Sequence, residues 1–160
     1  MSSTNNLAYT APINPPSATP LTLDQIWAAL VMKVRSAETF VPAAIQSTDV
    51  LSESADPDTG NLVIVREVVF RENQKRVRET VTAFPKCRVE FQQPDGSRVS
   101  NVVSNSADGS LYLSYVFEWR HPGVSEEELA ALAEKERKMS QMAVEGTIKT
   151  MRQLLEEKKL

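Results

Sequence analysis

The sequence predicts an α+β fold in which a curved antiparallel sheet of about seven strands wraps around a long C-terminal helix. Two observations indicate this. Apolar residues alternate with polar ones through the middle of the chain, which is the period of strands with one buried face. From residue 125 onward they recur at helical spacing. One or two short helices are expected after the first strand, within a single domain spanning residues 1–160.

The C-terminal helix has clear start signals. Ser125 is a favourable N-cap residue, and Glu128 lies three positions later, where it completes a capping box. A helix over residues 126–157 would be about 48 Å long at 1.5 Å per residue. Such a helix is too long to bury its apolar stripe against one neighbouring helix, so we expect it to lie on a broad sheet.

The N-terminal part is expected to begin with disordered residues 1–6 and a short edge strand over 7–13, interrupted by Pro12. Thr22 and Gln25 form a second capping box and open a helix that ends near Arg35. Its expected apolar face comprises Leu23, Ile26, Trp27, Leu30, Val31 and Val34. A second helical turn is expected over 37–40.

The remaining strands are joined by turn sequences rich in Asp, Asn, Pro and Gly. We place them near residues 44–54, 61–71, 76–84, 86–93, 97–105 and 110–120. Short strands connected by tight turns predict an antiparallel meander. The long helix would cover its concave face and leave a cavity between helix and sheet, which is a usual position for a ligand site.

The alternation within each strand predicts which side chains face this cavity. In the last strand the more apolar set is directed inward; it comprises Leu111, Leu113, Tyr115, Phe117 and Trp119. In the preceding hairpin we pair Phe70 with Val77. Arg66 and Glu79 then lie on the inner face as diagonal neighbours. The next two strands add Val89 and Phe91, and Val99, Asn101 and Val103.

Arg66 and Glu79 allow two interpretations. An uncompensated buried charge costs several kcal/mol, so the two side chains should pair, contact a ligand or reach water in an open pocket. Either they form a structural ion pair at the sheet edge, or at least one of them contacts a ligand. If the two strands paired in a different register, one of the two side chains would instead lie in solvent.

Composition excludes several function classes. The net charge of −3 and a pI near 5.3 argue against nucleic acid as a partner, and no apolar run is long enough to span a membrane. A single histidine, His121, and a single cysteine, Cys87, cannot build a zinc site, and we expect no metal or cofactor. Cys87 is interpreted as a small buried residue and His121 as a surface or capping residue. The lack of a secretory signal predicts a cytoplasmic protein. We expect it to be a monomer or a homodimer.

Four segments carry a resemblance to a known family: Leu62–Val68, Arg76–Val81, Val99–Ser104 and above all Leu111–Gly123. They resemble the AtaL-like branch of the SRPBCC superfamily, the Bet v 1-like and START-like proteins, over residues from about 7 to 157. The resemblance implies the helix-grip fold, a hydrophobic cavity and small-molecule binding. It supplies no established catalytic set.

We therefore expect a protein that binds a hydrophobic small molecule and acts on it as a cyclase, dehydratase or isomerase of polyketide-like secondary metabolism. Glu79 would serve as acid or base, Tyr115 as hydrogen-bond donor and Arg66 as the stabiliser of an enolate. The expected ligand-binding residues are Trp27, Ile64, Val68, Val81, Phe91, Asn101, Leu113, Phe117, Trp119, Met139 and Met142. The alternatives are a non-catalytic carrier or sensor and, ranked last, a protein-interaction module.

Overall fold

A computed structural model of the chain, which describes residues 3–160, contains seven strands and three helices in the expected order. The elements are β1 (Thr4–Pro12), α1 (Leu23–Arg35), α2 (Ala37–Phe40), β2 (Ile45–Ala55), β3 (Leu62–Phe70), β4 (Arg76–Phe84), β5 (Arg88–Gln92), β6 (Arg98–Asn105), β7 (Leu111–Arg120) and α3 (Glu126–Glu156). The predicted α+β architecture is confirmed.

All seven strands form one antiparallel sheet in the order β1-β7-β6-β5-β4-β3-β2. Strands β2 to β7 are a meander, and β1 pairs with β7 at the far edge, as its proline suggested. The expected disorder of residues 1–6 is wrong for Thr4 to Asn6, because these residues pair with the end of β7. Residues 1 and 2 lie outside the described residues.

Both predicted capping boxes are present. The Thr22 hydroxyl accepts a hydrogen bond from the Gln25 amide, and the Gln25 side chain accepts one from the Thr22 amide. Ser125 and Glu128 make the same reciprocal pair at the start of α3. These bonds satisfy amide groups that no helical carbonyl can reach, so the helix starts are fixed locally by the sequence.

The β3–β4 register differs from the expected one by two residues. Phe70 donates its amide to the carbonyl of Lys75, and Arg66 lies directly opposite Glu79 rather than diagonal to it. The turn closes earlier than we expected. Because side chains alternate with a period of two, a shift of two residues keeps every side chain on its predicted face.

The concave face of the sheet and the helices enclose the main core, which includes Ile13, Phe40, Leu113, Val144 and Met151. The convex face is polar: Glu67 pairs with Arg76 and Arg78 there. Cys87 was expected at an inward strand position, and this is wrong. It lies exposed in the turn between β4 and β5, because β5 begins at Arg88, two residues after its expected start. No helix within residues 3–160 is long and apolar enough to cross a membrane.

Candidate functional site

A cavity of about 570 Å³ lies between the concave face of the sheet and α3, with α1 and α2 at one end. Much of its wall is aromatic and aliphatic, because the inward positions of β3 to β7 are largely apolar. Its apolar lining includes Phe70, Val77, Phe91, Val99, Phe117, Trp119, Leu132 and Met139. This size falls within the range of pockets that bind drug-sized molecules.

Arg66 and Glu79 form a buried ion pair in the wall of this cavity. Each residue is only 4% exposed. The Nε and Nη2 groups of Arg66 donate to Glu79 Oε1 at 3.0 and 2.8 Å, and Gln93 Nε2 donates to Glu79 Oε2 at 3.2 Å. Arg66 Nη1 also donates to the carbonyl of Val34 at 2.8 Å, near the end of α1. A structural ion pair, which we expected as one alternative, is therefore present, but it joins the interior strands β3 and β4 and does not lie at the sheet edge.

Lys33 is a second buried cation in the same wall. It projects from α1, is 5% exposed, and donates from Nζ to Asn101 Oδ1 at 2.8 Å. The Nζ atom lies 5.0 Å from the centre of the Phe91 ring and 4.9 Å from that of Tyr115. Burial, together with the positive charge of Arg66, lowers the pKa of Lys33 to about 7, although Glu79 partly opposes this effect.

Asn101 brings an unpaired donor to the cavity. This residue of β6 is 1% exposed, and its Oδ1 atom accepts the bond from Lys33. Its Nδ2 atom is buried and has no hydrogen-bond partner among the described residues. A buried amide without a partner costs about 1–3 kcal/mol. Such a group at a cavity wall is a natural contact for a ligand acceptor.

Tyr115 lines the cavity, but its hydroxyl group is engaged with α3. The hydroxyl lies 2.7 Å from Thr147 Oγ1, and Thr147 in turn donates to the carbonyl of Ala143. Because Thr147 has only one hydroxyl hydrogen, Tyr115 must donate to Thr147. Burial raises the pKa of Tyr115. Its proton is therefore directed at the helix, so the hydrogen-bond donor that we expected Tyr115 to offer a ligand is already used.

Around the outer part of the cavity, polar contacts join α3 to the ends of the sheet. Glu136 accepts from Asn5 Nδ2 at 2.7 Å and from His121 Nε2 at 3.0 Å. Lys135 forms an ion pair with Glu72 in the β3–β4 turn. These contacts hold α3 over the sheet. The bond to Glu136 gives His121 a structural role.

The predicted site residues separate into those that line the cavity and those that do not. The cavity brings together Arg66, Glu79, Phe91, Asn101, Tyr115, Phe117, Trp119 and Met139. The other six predicted residues, which are not part of the lining, are Trp27, Ile64, Val68, Val81, Leu113 and Met142.

Most of these six residues do not line the cavity because they are packed where the helices and the sheet are in direct contact. Ile64, Val81 and Leu113 pack in the main core, with Trp27 half-buried against it. Val68 packs in a smaller cluster with Ala37 and Ile45. Met142 is 58% exposed and lines an adjoining groove of about 650 Å³ between α3, α2 and the β3–β4 turn, which shares part of its lining with the cavity.

Lys33 is the main site residue that sequence reasoning missed. On α1, Leu23 and Trp27 pack half-buried against the core as expected. Ala29 and Lys33, which we did not place on this face, are fully buried there. A signal was present, because Lys33 follows Ile26 by seven positions and Leu30 by three. A lysine in the apolar stripe of an amphipathic helix indicates either a structural ion pair or a functional group.

Within residues 3–160, no three His, Cys, Asp or Glu side chains come together in a group that could hold a metal ion. The polar groups at the buried end of the cavity are instead an amine, a guanidinium, a carboxylate and two amides. This set can bind an oxygen-bearing organic group and exchange protons with it.

Solved structures share this fold over most of the chain. The di-domain aromatase/cyclase StfQ from the steffimycin biosynthetic pathway matches with a TM-score of 0.65 and 8% identity, over 98% of this chain and 52% of that chain. The chain therefore spans about half the length of that protein. The Zhui aromatase/cyclase from Streptomyces sp. R1128 matches with a TM-score of 0.64 and 14% identity, over 95% and 96% of the two chains.

A third structure, of Ara h 8.0201, matches with a TM-score of 0.55 and 15% identity, over 91% of this chain and 97% of that chain. At these identities the matches establish the fold alone, which is the helix-grip arrangement of a curved antiparallel sheet around a long C-terminal helix. No curated protein matches the sequence. Residues 7–158 match the family model described as acetylaranotin biosynthesis cluster protein L, and the chain therefore belongs to the AtaL family.

Proposed function

We propose that this protein binds a hydrophobic, carbonyl-bearing small molecule between its sheet and α3 and acts on it as a cyclase, dehydratase or isomerase. One observation carries the proposal. At the buried end of an apolar cavity, the Lys33 amine and the unpaired Nδ2 of Asn101 are adjacent and have hydrogens left to donate. A ligand carbonyl would satisfy both while its apolar body contacts the aromatic wall.

Lys33 is the proposed acid/base group. With a pKa near 7, a large fraction of the amine is neutral at physiological pH. The neutral amine would take a proton from a carbon next to the ligand carbonyl, and the C–H electron pair would form an enolate. The enolate oxygen would accept hydrogen bonds from Asn101 Nδ2 and the new ammonium. Attack of the enolate carbon on a second carbonyl of the same molecule forms a ring and an alkoxide, which recovers the proton from Lys33.

In this proposal Arg66, Glu79 and Tyr115 have supporting roles. Glu79 accepts bonds from Arg66 and Gln93, and Tyr115 donates to Thr147, so a direct role in proton transfer would require these bonds to break. Arg66 instead lowers the pKa of Lys33 through its positive charge. We therefore shift the expected acid/base role from Glu79 to Lys33.

The comparisons support the chemical class of the ligand. The AtaL family is named for a biosynthesis cluster, and two structural neighbours are described as aromatase/cyclases, one of them from a biosynthetic pathway. A polyketide-like substrate contains the repeated carbonyl groups and acidic C–H bonds that the Lys33–Asn101 pair would use. These similarities favour secondary metabolism as the setting.

A carrier or sensor is the second candidate. It is favoured by the engagement of Arg66, Glu79 and Tyr115, the three side chains expected to be catalytic, with protein partners. A carrier would need only the apolar cavity and the Lys33–Asn101 donors. It would hold its ligand without changing it.

The first experiment is native mass spectrometry of the purified protein, followed by denaturing extraction and identification of any released molecule. Turnover is then tested by NMR with 2-tetralone in D₂O, by following the exchange of its α-protons for deuterium. We expect wild-type protein to accelerate the exchange and Lys33→Met to lose most of this acceleration. The matched control is Lys75→Met, which removes an exposed amine from the outer part of the same cavity.

The outcomes separate the two candidates. Equal acceleration by wild type and Lys33→Met would show that Lys33 is not the base. A stoichiometric extracted ligand that the protein leaves unchanged, together with no acceleration of exchange, would favour the carrier. If the protein has no bound ligand and does not accelerate the exchange, both functions are contradicted.

A further inference from the structure

The charges buried at the inner end of the cavity do not balance. Among the described residues the buried charged side chains are Lys33, Arg66 and Glu79. Glu79 accepts two hydrogen bonds from Arg66 but none from Lys33. Protonated Lys33 is therefore a surplus cation with no directly bonded carboxylate, and a buried charge of this kind requires compensation.

The unused hydrogen-bonding groups at this place are donors. A protonated Lys33 has three N–H groups, of which the structure shows one donated to Asn101 Oδ1. The Nδ2 group of Asn101 has no partner among residues 3–160. Glu79, the buried carboxylate whose charge acts on Lys33, already accepts bonds at both oxygens. The arrangement therefore favours a ligand group that only accepts hydrogen bonds.

The groups around Lys33 come from the strands β3 to β7 and from α3. Arg66 on β3 and Glu79 on β4 carry charge, whereas Phe91 on β5 and Asn101 on β6 are neutral. Tyr115 on β7 is also neutral, because its pKa is raised. From α3 the cavity receives Lys135, Glu136, Leu132, Met139, Ser140 and Ala143, and the ionisable members of this set already pair with His121 and Glu72.

We infer that the buried end of the cavity is an anion subsite, in which an aromatic ligand places a carboxylate or a delocalised oxyanion between Lys33 Nζ and Asn101 Nδ2. The inference rests on the proposed ligand-binding function and specifies the class of ligand. The anion supplies the missing negative charge and accepts both unused donors. Next to this end of the cavity the stacked rings of Phe117 and Trp119 provide the apolar surface that an aromatic body would contact.

Anion binding at this position must be linked to protonation of Lys33. The bound anion stabilises the ammonium form, whereas the free protein above pH 7 holds mostly the neutral amine. At pH 8 a carboxylate ligand should therefore take up nearly one proton from the buffer on binding. A ligand that binds as a neutral phenol and gives its own proton to Lys33 should take up almost none.

The experiment is isothermal titration calorimetry with 2-naphthoate and its neutral isostere naphthalene-2-carboxamide, in two buffers with different ionisation enthalpies. We expect the carboxylate to bind at least tenfold more tightly than the amide at pH 6. Its affinity should fall about tenfold between pH 6 and pH 8, as expected for linkage to one group with a pKa near 7. A third probe, 2-naphthol, distinguishes a phenolate from a carboxylate by its lack of net proton uptake at pH 8.

Two variants test the residues. Lys33→Met should remove both the preference for the carboxylate and the proton uptake, and Asn101→Leu should weaken carboxylate binding with the fold intact by circular dichroism. Equal affinities of the two isosteres in wild-type protein would overturn the anion subsite but leave ligand binding in the cavity established. Carboxylate binding by Lys33→Met with wild-type affinity would overturn it as well. Failure of all three probes to bind would count against both the subsite and the proposed function.

Discussion

Arg66 and Glu79 lie directly opposite each other on β3 and β4, and two hydrogen bonds from the guanidinium converge on one carboxylate oxygen. The same guanidinium donates to the carbonyl of Val34 near the end of α1. The pair therefore joins the sheet to a helix that carries Lys33, and it holds a positive charge beside that amine. This geometry makes the ion pair a support for the site.

The first prediction concerns this ion pair. Arg66→Met should lower the free energy of unfolding by about 3–5 kcal/mol, because it leaves the Glu79 carboxylate buried without its partner. The double variant Arg66→Met/Glu79→Leu should recover at least about 2 kcal/mol of that loss. Urea unfolding followed by circular dichroism measures both. Arg78→Met, which removes an exposed partner of Glu67, is the control and should change the stability little.

A double variant that is as unstable as Arg66→Met or less stable would contradict this prediction. It would mean that the bonds from Arg66 to the carbonyls of α1, rather than the buried charge of Glu79, dominate the cost.

The second prediction concerns the pH dependence of stability. The pKa of Lys33 is about 7 in the folded chain and near 10.4 when the chain is unfolded, so the unfolded state binds more protons between these values. Lys33 therefore destabilises the fold fully below pH 7, and this destabilisation is relieved as the pH rises. The Lys33 contribution should raise the free energy of unfolding by about 1.4 kcal/mol from pH 6 to pH 8.

Lys33→Met should be more stable than wild type, and its advantage should shrink by that amount over the same range. Unfolding titrations at pH 6, 7 and 8 measure the difference, with Lys75→Met as the exposed control. An advantage that is constant with pH would show that Lys33 does not titrate in this range.

The third prediction separates structure from chemistry at Tyr115. Tyr115→Phe removes the bond to Thr147 and should cost about 1 kcal/mol of stability. It should leave the affinity for 2-naphthoate within about twofold of wild type, because this hydroxyl hydrogen is directed at α3. Thermal unfolding and calorimetry measure the two effects. A tenfold loss of affinity in a folded Tyr115→Phe variant would restore the ligand contact that the sequence predicted for this residue.

The fourth prediction tests whether ligands enter the cavity itself. Ala143 is half-buried on α3 and lines the cavity, whereas Ala131 is exposed on the same helix. Ala143→Trp should fill part of the 570 Å³ space and weaken 2-naphthoate binding at least tenfold. Ala131→Trp should bind as wild type does. Equal binding by the two variants would place the ligand outside the cavity.

Much of the fold could be predicted because its signals are local. The capping boxes at Thr22 and Ser125 fixed the starts of two helices, and the period of the apolar residues distinguished the strands from α3. The inward faces that we predicted for β3 to β7 were also correct, because the two-residue difference in register between β3 and β4 does not change which face a side chain is on. Resemblance to the AtaL family indicated the same architecture from the final strand.

The site was predicted less completely, because its chemistry depends on contacts between residues far apart in the chain. The sequence by itself determined that Arg66, Glu79, Asn101 and Tyr115 face the concave side of the sheet. Only the tertiary structure decided that Lys33 of α1 meets Asn101, that Tyr115 donates to Thr147, and that Ile64 and Leu113 are packed beneath the helices. The physical reason is that alternation fixes the direction of a side chain within its own strand, whereas its partner and its depth depend on how helix and sheet pack against each other.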